Sequence, residues 1–110
     1  MKIVKFRDYL VPLVLSGEKN STWRLFDDKD LSAGDEIELR EFGKDHSFGK
    51  AKIIKVIEKP FKKLSAADKE GHETFSDDAE MYRTYSGYYN TPVGPDSIIK
   101  IIWFNLEERS

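Results

Sequence analysis

The stretch Gly17-Glu18-Lys19-Asn20-Ser21-Thr22-Trp23-Arg24 gathers an amine, two hydroxyls, an amide and a guanidinium. An amine beside a hydroxyl suits a nucleophile activated by a lysine base. A guanidinium adds a planar fork of donors for an anion or a nucleobase. Whether these groups meet depends on the backbone. In a strand that begins near Asn20, side chains alternate, so Thr22 and Arg24 share one face while Ser21 and Trp23 take the other. Strict alternation would put Lys19 on the Trp23 face. Lys19 lies in the preceding turn, however, and its long stem can swing the amine toward Thr22. The competing reading is a surface turn followed by an ordinary strand.

The elements that must position these groups are short. Met1 to Phe6 alternates as a first strand. Asp8 is placed to cap a helix whose stripe is Tyr9, Leu10, Leu13 and Val14. Pro12 confines that helix to a turn or two, and Gly17 falls where a left-handed cap is expected. Asn20–Phe26 reads as a strand, with turns at Asp27, Asp28 and Asp30 and again at Ala33-Gly34-Asp35. Glu36–Phe42 alternates cleanly, 43–49 reads as a hairpin loop, and Phe48–Glu58 as a long strand stopped by Pro60. A short helix over Ser65–Lys69 closes at Gly71, and Thr74 with Asp77 resembles a capping box for a helix over Phe75–Tyr85. Ser97–Leu106 is apolar enough for a central strand. Four or five strands with inserted helices predict an α+β fold, a small, partly closed β-barrel with flanking helices, as one domain over residues 1–110.

The sequence has 110 residues, 39% hydrophobic and 35% charged, with no cysteine. Disulfides, thiolate metal sites and thiol nucleophiles are therefore excluded. High charge without glutamine or cysteine suggests a heat-adapted source. Patterned sequence begins at Met1, and no apolar run approaches the roughly 18 residues of a membrane span, so a cytoplasmic location is expected. The net charge of −2 hides segregation. Residues 1–26 carry +3 and 42–63 carry +5, whereas 27–41 and 64–110 carry −5 each. The two basic segments form one positive face if the fold joins them; otherwise they are solvated sheet edges.

The segments SGEKNSTWR, LSAGDEIEL and AKIIKVIEKPFKKLSAADKEG resemble an ASCH domain over nearly the whole chain. The signature residues Gly17, Lys19, Thr22 and Arg24 match in order and spacing. So do Gly34-Asp35 opening a strand and Glu70 before Gly71. The resemblance implies a PUA-like mixed β-barrel that acts on RNA or nucleosides, with no cofactor or metal. One branch of the family removes the acetyl group from N4-acetylcytidine. Carried over, that activity would use Lys19 as base, Thr22 as nucleophile and Glu70 as acid, with Arg24, Ser21 and Asn20 contacting the ligand. Asn20 replaces a threonine common in that branch, and the segment after Glu70 is longer. Two functions are therefore carried forward, a binding module for RNA or a modified nucleoside and an amidohydrolase. A protein-interaction module with a vestigial cleft is the third.

Weaker signals have bland readings. Tyr82, Tyr85 and Tyr89 fall at helical spacing beside Tyr88, which suits packing a helix on a sheet more than stacking bases. His46 and His72 lie in separate polar loops without the spacing of a metal site. Trp103 is expected in the core. If the acid is Glu70, its apolar wall should come from Phe75 or a tyrosine, because Trp23 points away from the Thr22 face.

Overall fold

The computed structural model describes residues 1–26, 29–72 and 74–109, so the predicted turn at Asp27 and Asp28 lies outside the described residues. The alternating segments become five strands: β1 (Lys2–Phe6), β2 (Ser21–Arg24), β3 (Glu36–Glu41), β4 (Ser47–Pro60) and β5 (Ile98–Arg109). They form one mixed sheet in the order β1-β3-β4-β5-β2, with β1 parallel to β3 and the other pairs antiparallel. Two helices, α1 (Val11–Ser16) and α2 (Asp78–Tyr89), and three single 3-10 turns complete the α+β fold.

Strands β1 and β2 are the two edges of this sheet, yet they approach each other. Arg24 Nη2 donates to the Lys5 carbonyl at 3.4 Å, from one edge to the other. The sheet thus curls into a half-barrel whose seam is left open. Curling follows from the right-handed twist of long strands and from bulges, where the register skips Phe48 of β4 opposite Leu39/Arg40, Glu107 of β5 opposite Lys50/Ala51, and Ile54 of β4 between Ile53 and Lys55. The last bulge also decides between two neighbouring isoleucines: Ile53 is buried and Ile54 stands in solvent.

Each face of the sheet has its own core. Val4, Phe6, Ile37, Leu39, Ile53, Ile102 and Phe104 fill the concave side, closed by Leu10 and Val14 from the α1 region. Leu25, Phe61, Ile99 and Ile101 pack beneath α2, against Met81 and Tyr85. Strand β5 is covered on both faces, so adjacent Ile101 and Ile102 are both fully buried. Each such side chain contributes about 1.5–3 kcal/mol.

Three local expectations are corrected. Asp8 sits inside the first 3-10 turn, where its carboxylate accepts the Tyr9 N–H at 2.9 Å, and the α-helix starts only at Val11. The expected 43–49 loop is shorter, because Ser47 Oγ bonds both the carbonyl and the N–H of Gly49 and extends β4. Helix α2 begins later than predicted and takes in all four clustered tyrosines. Its cap is Asp77, which accepts the Glu80 N–H at 2.7 Å; Asp competes well with Thr for that role.

Candidate ligand-binding cleft

Gly17 closes α1 in the left-handed conformation at φ 85°, and the chain reverses toward the sheet. The Lys19 N–H then bonds the Leu13 carbonyl at 3.0 Å, which pins the turn against the helix. As a result the lysine is only 3% exposed, and it lines a cleft together with Thr22, which is 7% exposed, and Arg24. Residues that carry an amine, a hydroxyl and a guanidinium therefore border one cleft.

The cleft occupies the open seam of the half-barrel and encloses about 300 Å³. Strand β1 supplies Lys5 and Phe6, followed by Arg7 and Leu10; β2 supplies Thr22, Trp23 and Arg24; α2 supplies Tyr85, Tyr88 and Tyr89. Three consecutive β2 residues can line one cleft because it runs along the strand's edge. Alternation still assigns the faces: Thr22 pairs with Ile102 on the concave side, and Trp23 with Ile101 on the α2 side. It does not decide which residues border an edge. Trp23, expected to face away, therefore forms a wall of the site.

A second loop completes that wall. Gly71 has φ 78°, and its carbonyl accepts the N–H groups of both Asn20 and Ser21, at 2.9 and 3.1 Å. A Cβ on Gly71 would run into the Asn20 side chain. Trp103 Nε1 holds the preceding carbonyl, that of Glu70, at 3.2 Å. Docked this way, the loop lays the His72 ring on Trp23 with centroids 3.9 Å apart and planes 17° apart. His72 Nε2 and Tyr85 Oη lie 3.1 Å apart in the buried interior. The base of the loop is fixed by Asp68, which accepts the Ser65 N–H and the Lys59 ammonium, at 2.9 and 2.7 Å. The lysine bond, then the backbone bond, hold the Asp68 carboxyl below its usual range.

Not every sequence candidate arrives. Glu70 is exposed, contributes its backbone carbonyl to Trp103, and is not among the residues lining the cleft. Ser21 is fully buried on the face opposite Thr22, with its hydroxyl lacking an acceptor or donor. Asn20 is exposed, and its side chain lies against Gly71. Trp103 is half-buried, with the Lys55 ammonium 5.1 Å from its ring centre, and serves as a clamp on the loop. Sequence reasoning missed Trp23, His72 and Tyr85 as site residues. The tyrosine spacing was visible, but no local signal shows that a loop 50 residues away stacks on Trp23.

The two basic segments do not merge. Segment 1–26 supplies Lys5, Arg7, Lys19 and Arg24 to the cleft. The lysines of segment 42–63 lie elsewhere and meet acids: Lys44 Glu41, Lys50 Glu108, Lys59 Asp68 and Lys62 Asp96. Lys50 and Lys52 also stand opposite Glu38 and Glu36 across the β3–β4 ladder.

Fold and cleft together define the class, a mixed α+β half-barrel with a polar and aromatic pocket at its seam. Solved structures of this fold include an ASCH domain from Lactobacillus crispatus JV V101, with TM-score 0.72, 12% identity, and coverage of 98% of this chain and 81% of that one. A protein of Enterococcus faecalis V583 from family DUF984 superposes with TM-score 0.71 at 20% identity, over 93% of this chain and 72% of that one. The ASCH protein of Zymomonas mobilis gives TM-score 0.63 at 13% identity, over 94% and 65%. What is shared at these identities is the ASCH-like fold. No protein-family model matches the sequence, and no curated protein is significantly similar to it. No helix of the described residues is long and apolar enough to cross a membrane.

Proposed function

We propose that the chain is an ASCH-type domain that binds a base of RNA, or of a free modified nucleoside, in the seam cleft. The observation that carries this reading is the juxtaposition of a buried aromatic cluster with a polar corner in one cleft. Trp23, His72 and Tyr85, stacked on one another, border the cleft as one aromatic cluster, and Lys19, Thr22 and Arg24 bring donors of the kind that read a base edge. Titration calorimetry of the full chain with ribonucleosides and a short single-stranded RNA tests it. Lys19→Met and Thr22→Val should weaken binding about 10- to 100-fold, the range for losing a buried hydrogen bond to a polar or charged partner. Lys50→Gln and Lys52→Gln should change it little. The reverse pattern would move binding to the outer face of the sheet and end the proposal.

A second reading, amide hydrolysis, draws on one feature: a lysine held out of water in the same cleft as a hydroxyl, the pairing a base-activated nucleophile needs. It expects acetate release from N4-acetylcytidine, lost in Lys19→Met and Thr22→Val. Glu70→Gln discriminates within it. Loss of turnover would mean that the Glu70 carboxyl enters the cleft with substrate, whereas retained turnover would assign proton donation to His72 or Tyr85. Absence of any release from the unmodified chain overturns this second reading.

A further inference from the structure

We infer that the ligand of the seam cleft carries a phosphate group, held by Lys5, Arg7 and Arg24, so that the favoured occupant is a nucleoside phosphate rather than a bare nucleoside; this deepens the binding reading above. The chain is net negative, and several cations outside the cleft pair with carboxylates, as in Lys2–Asp35, Arg40–Glu38 and Lys62–Asp96. The cleft gathers cations instead. Five of its lining residues are lysine or arginine, and among the described residues none is Asp or Glu. Lys5, Arg7 and Arg24 form no ion pair with any described residue.

Their support is of another kind. The Arg7 guanidinium lies 4.6 Å from the Phe42 ring centre and 5.0 Å from that of Tyr88, so aromatic faces hold it in place and leave its N–H edge to a ligand. Tyr88 is itself fixed by a 2.6 Å bond between its hydroxyl and that of Tyr9. Arg24 spends one N–H on the Lys5 carbonyl at 3.4 Å, and its buried Nε has no acceptor. Lys5 and Arg7 leave β1 on the same side, two residues apart, with Phe6 turned into the core between them. Lys5, Arg7 and Arg24, which border one cleft with no carboxylate among its described lining residues, repel one another, and a phosphate oxygen cluster relieves that repulsion while filling the guanidinium donors. The aromatic wall lies in the same cleft, so a phosphate and a ring system on one small molecule can engage both.

The four ribonucleosides and their 5′- and 3′-monophosphates, titrated into the full chain at low salt, test this. At least one monophosphate should bind about tenfold or more tightly than its nucleoside. That preference should shrink as salt rises, and shrink again in Arg7→Gln and in the exposed-site variant Lys5→Gln. Equal affinity of every nucleoside and its monophosphates overturns the inference and leaves base binding standing. So does RNA that binds tightly while monophosphates gain nothing over nucleosides, because its phosphates then lie outside the cleft. If nucleosides, monophosphates and RNA all fail to bind, the underlying reading falls with it.

Discussion

Gly71 shows how one residue far from the Lys19–Arg24 motif controls the site. Its backbone needs a positive φ, which costs an L-residue of order 1–3 kcal/mol, and its missing Cβ is the space the Asn20 side chain occupies. Gly71→Ala should therefore lower stability in denaturant titration by at least about 1 kcal/mol and weaken any ligand that uses the His72–Trp23 wall. Adding Asn20→Ala should recover only the steric part, because the φ penalty remains. Unchanged stability in the single variant would show that this loop is not docked as described. The same residue explains a limit of sequence reading. A glycine after Glu70 could be read as a cap, but its role against Asn20 needs the two segments side by side.

At the scale of elements, the site is a strand edge plus a docked loop. The loop depends on a turn in which Ser65 and Asp68 bond each other's backbone N–H groups, with Lys59 added from β4. Because the Asp68 carboxyl is held below its ordinary range, it binds its proton more weakly in the folded chain than in the unfolded one. Its stabilisation is complete above the unfolded value of about 3.9 and is lost as pH falls through the lower folded value. Asp68→Asn should lower the melting temperature at neutral pH and flatten its decline below about pH 4. Asp35 and Asp96, lowered chiefly by bonds from Lys2 and Lys62, give both proteins the same acid background. Parallel melting curves from pH 7 to 3 would remove Asp68 from the loop's support.

Across the whole molecule, two cores share one sheet. Strand β5 lies between them and pairs with both β4 and β2, so neither core can open without exposing it. Calorimetry should accordingly show a single transition with equal calorimetric and van't Hoff enthalpies. Two resolved transitions would mean that the α2 side melts by itself. The charge distribution also acts at this scale. Lys50 and Lys52 stand opposite acids across the β3–β4 ladder, while Lys5, Arg7 and Arg24 at the seam form no ion pair with any described residue, an arrangement that favours an anion at the cleft.

Periodicity, glycine and proline placement and the run of apolar residues in 97–106 were enough for the α+β class, the strands and the cap at Gly17, since each depends on near neighbours in the chain. The Gly17–Arg24 spacing likewise grouped Lys19, Thr22 and Arg24, which all border the cleft. Only the tertiary structure brought the β1 and β2 edges together as a seam, which is why Trp23 lines the cleft although alternation turned it away. The same long-range pairing set His72 on Trp23, left Glu70 at the surface, and parted the two basic segments. Those outcomes depend on how a sheet curls and where a distant loop docks, and no local pattern of residue types encodes either.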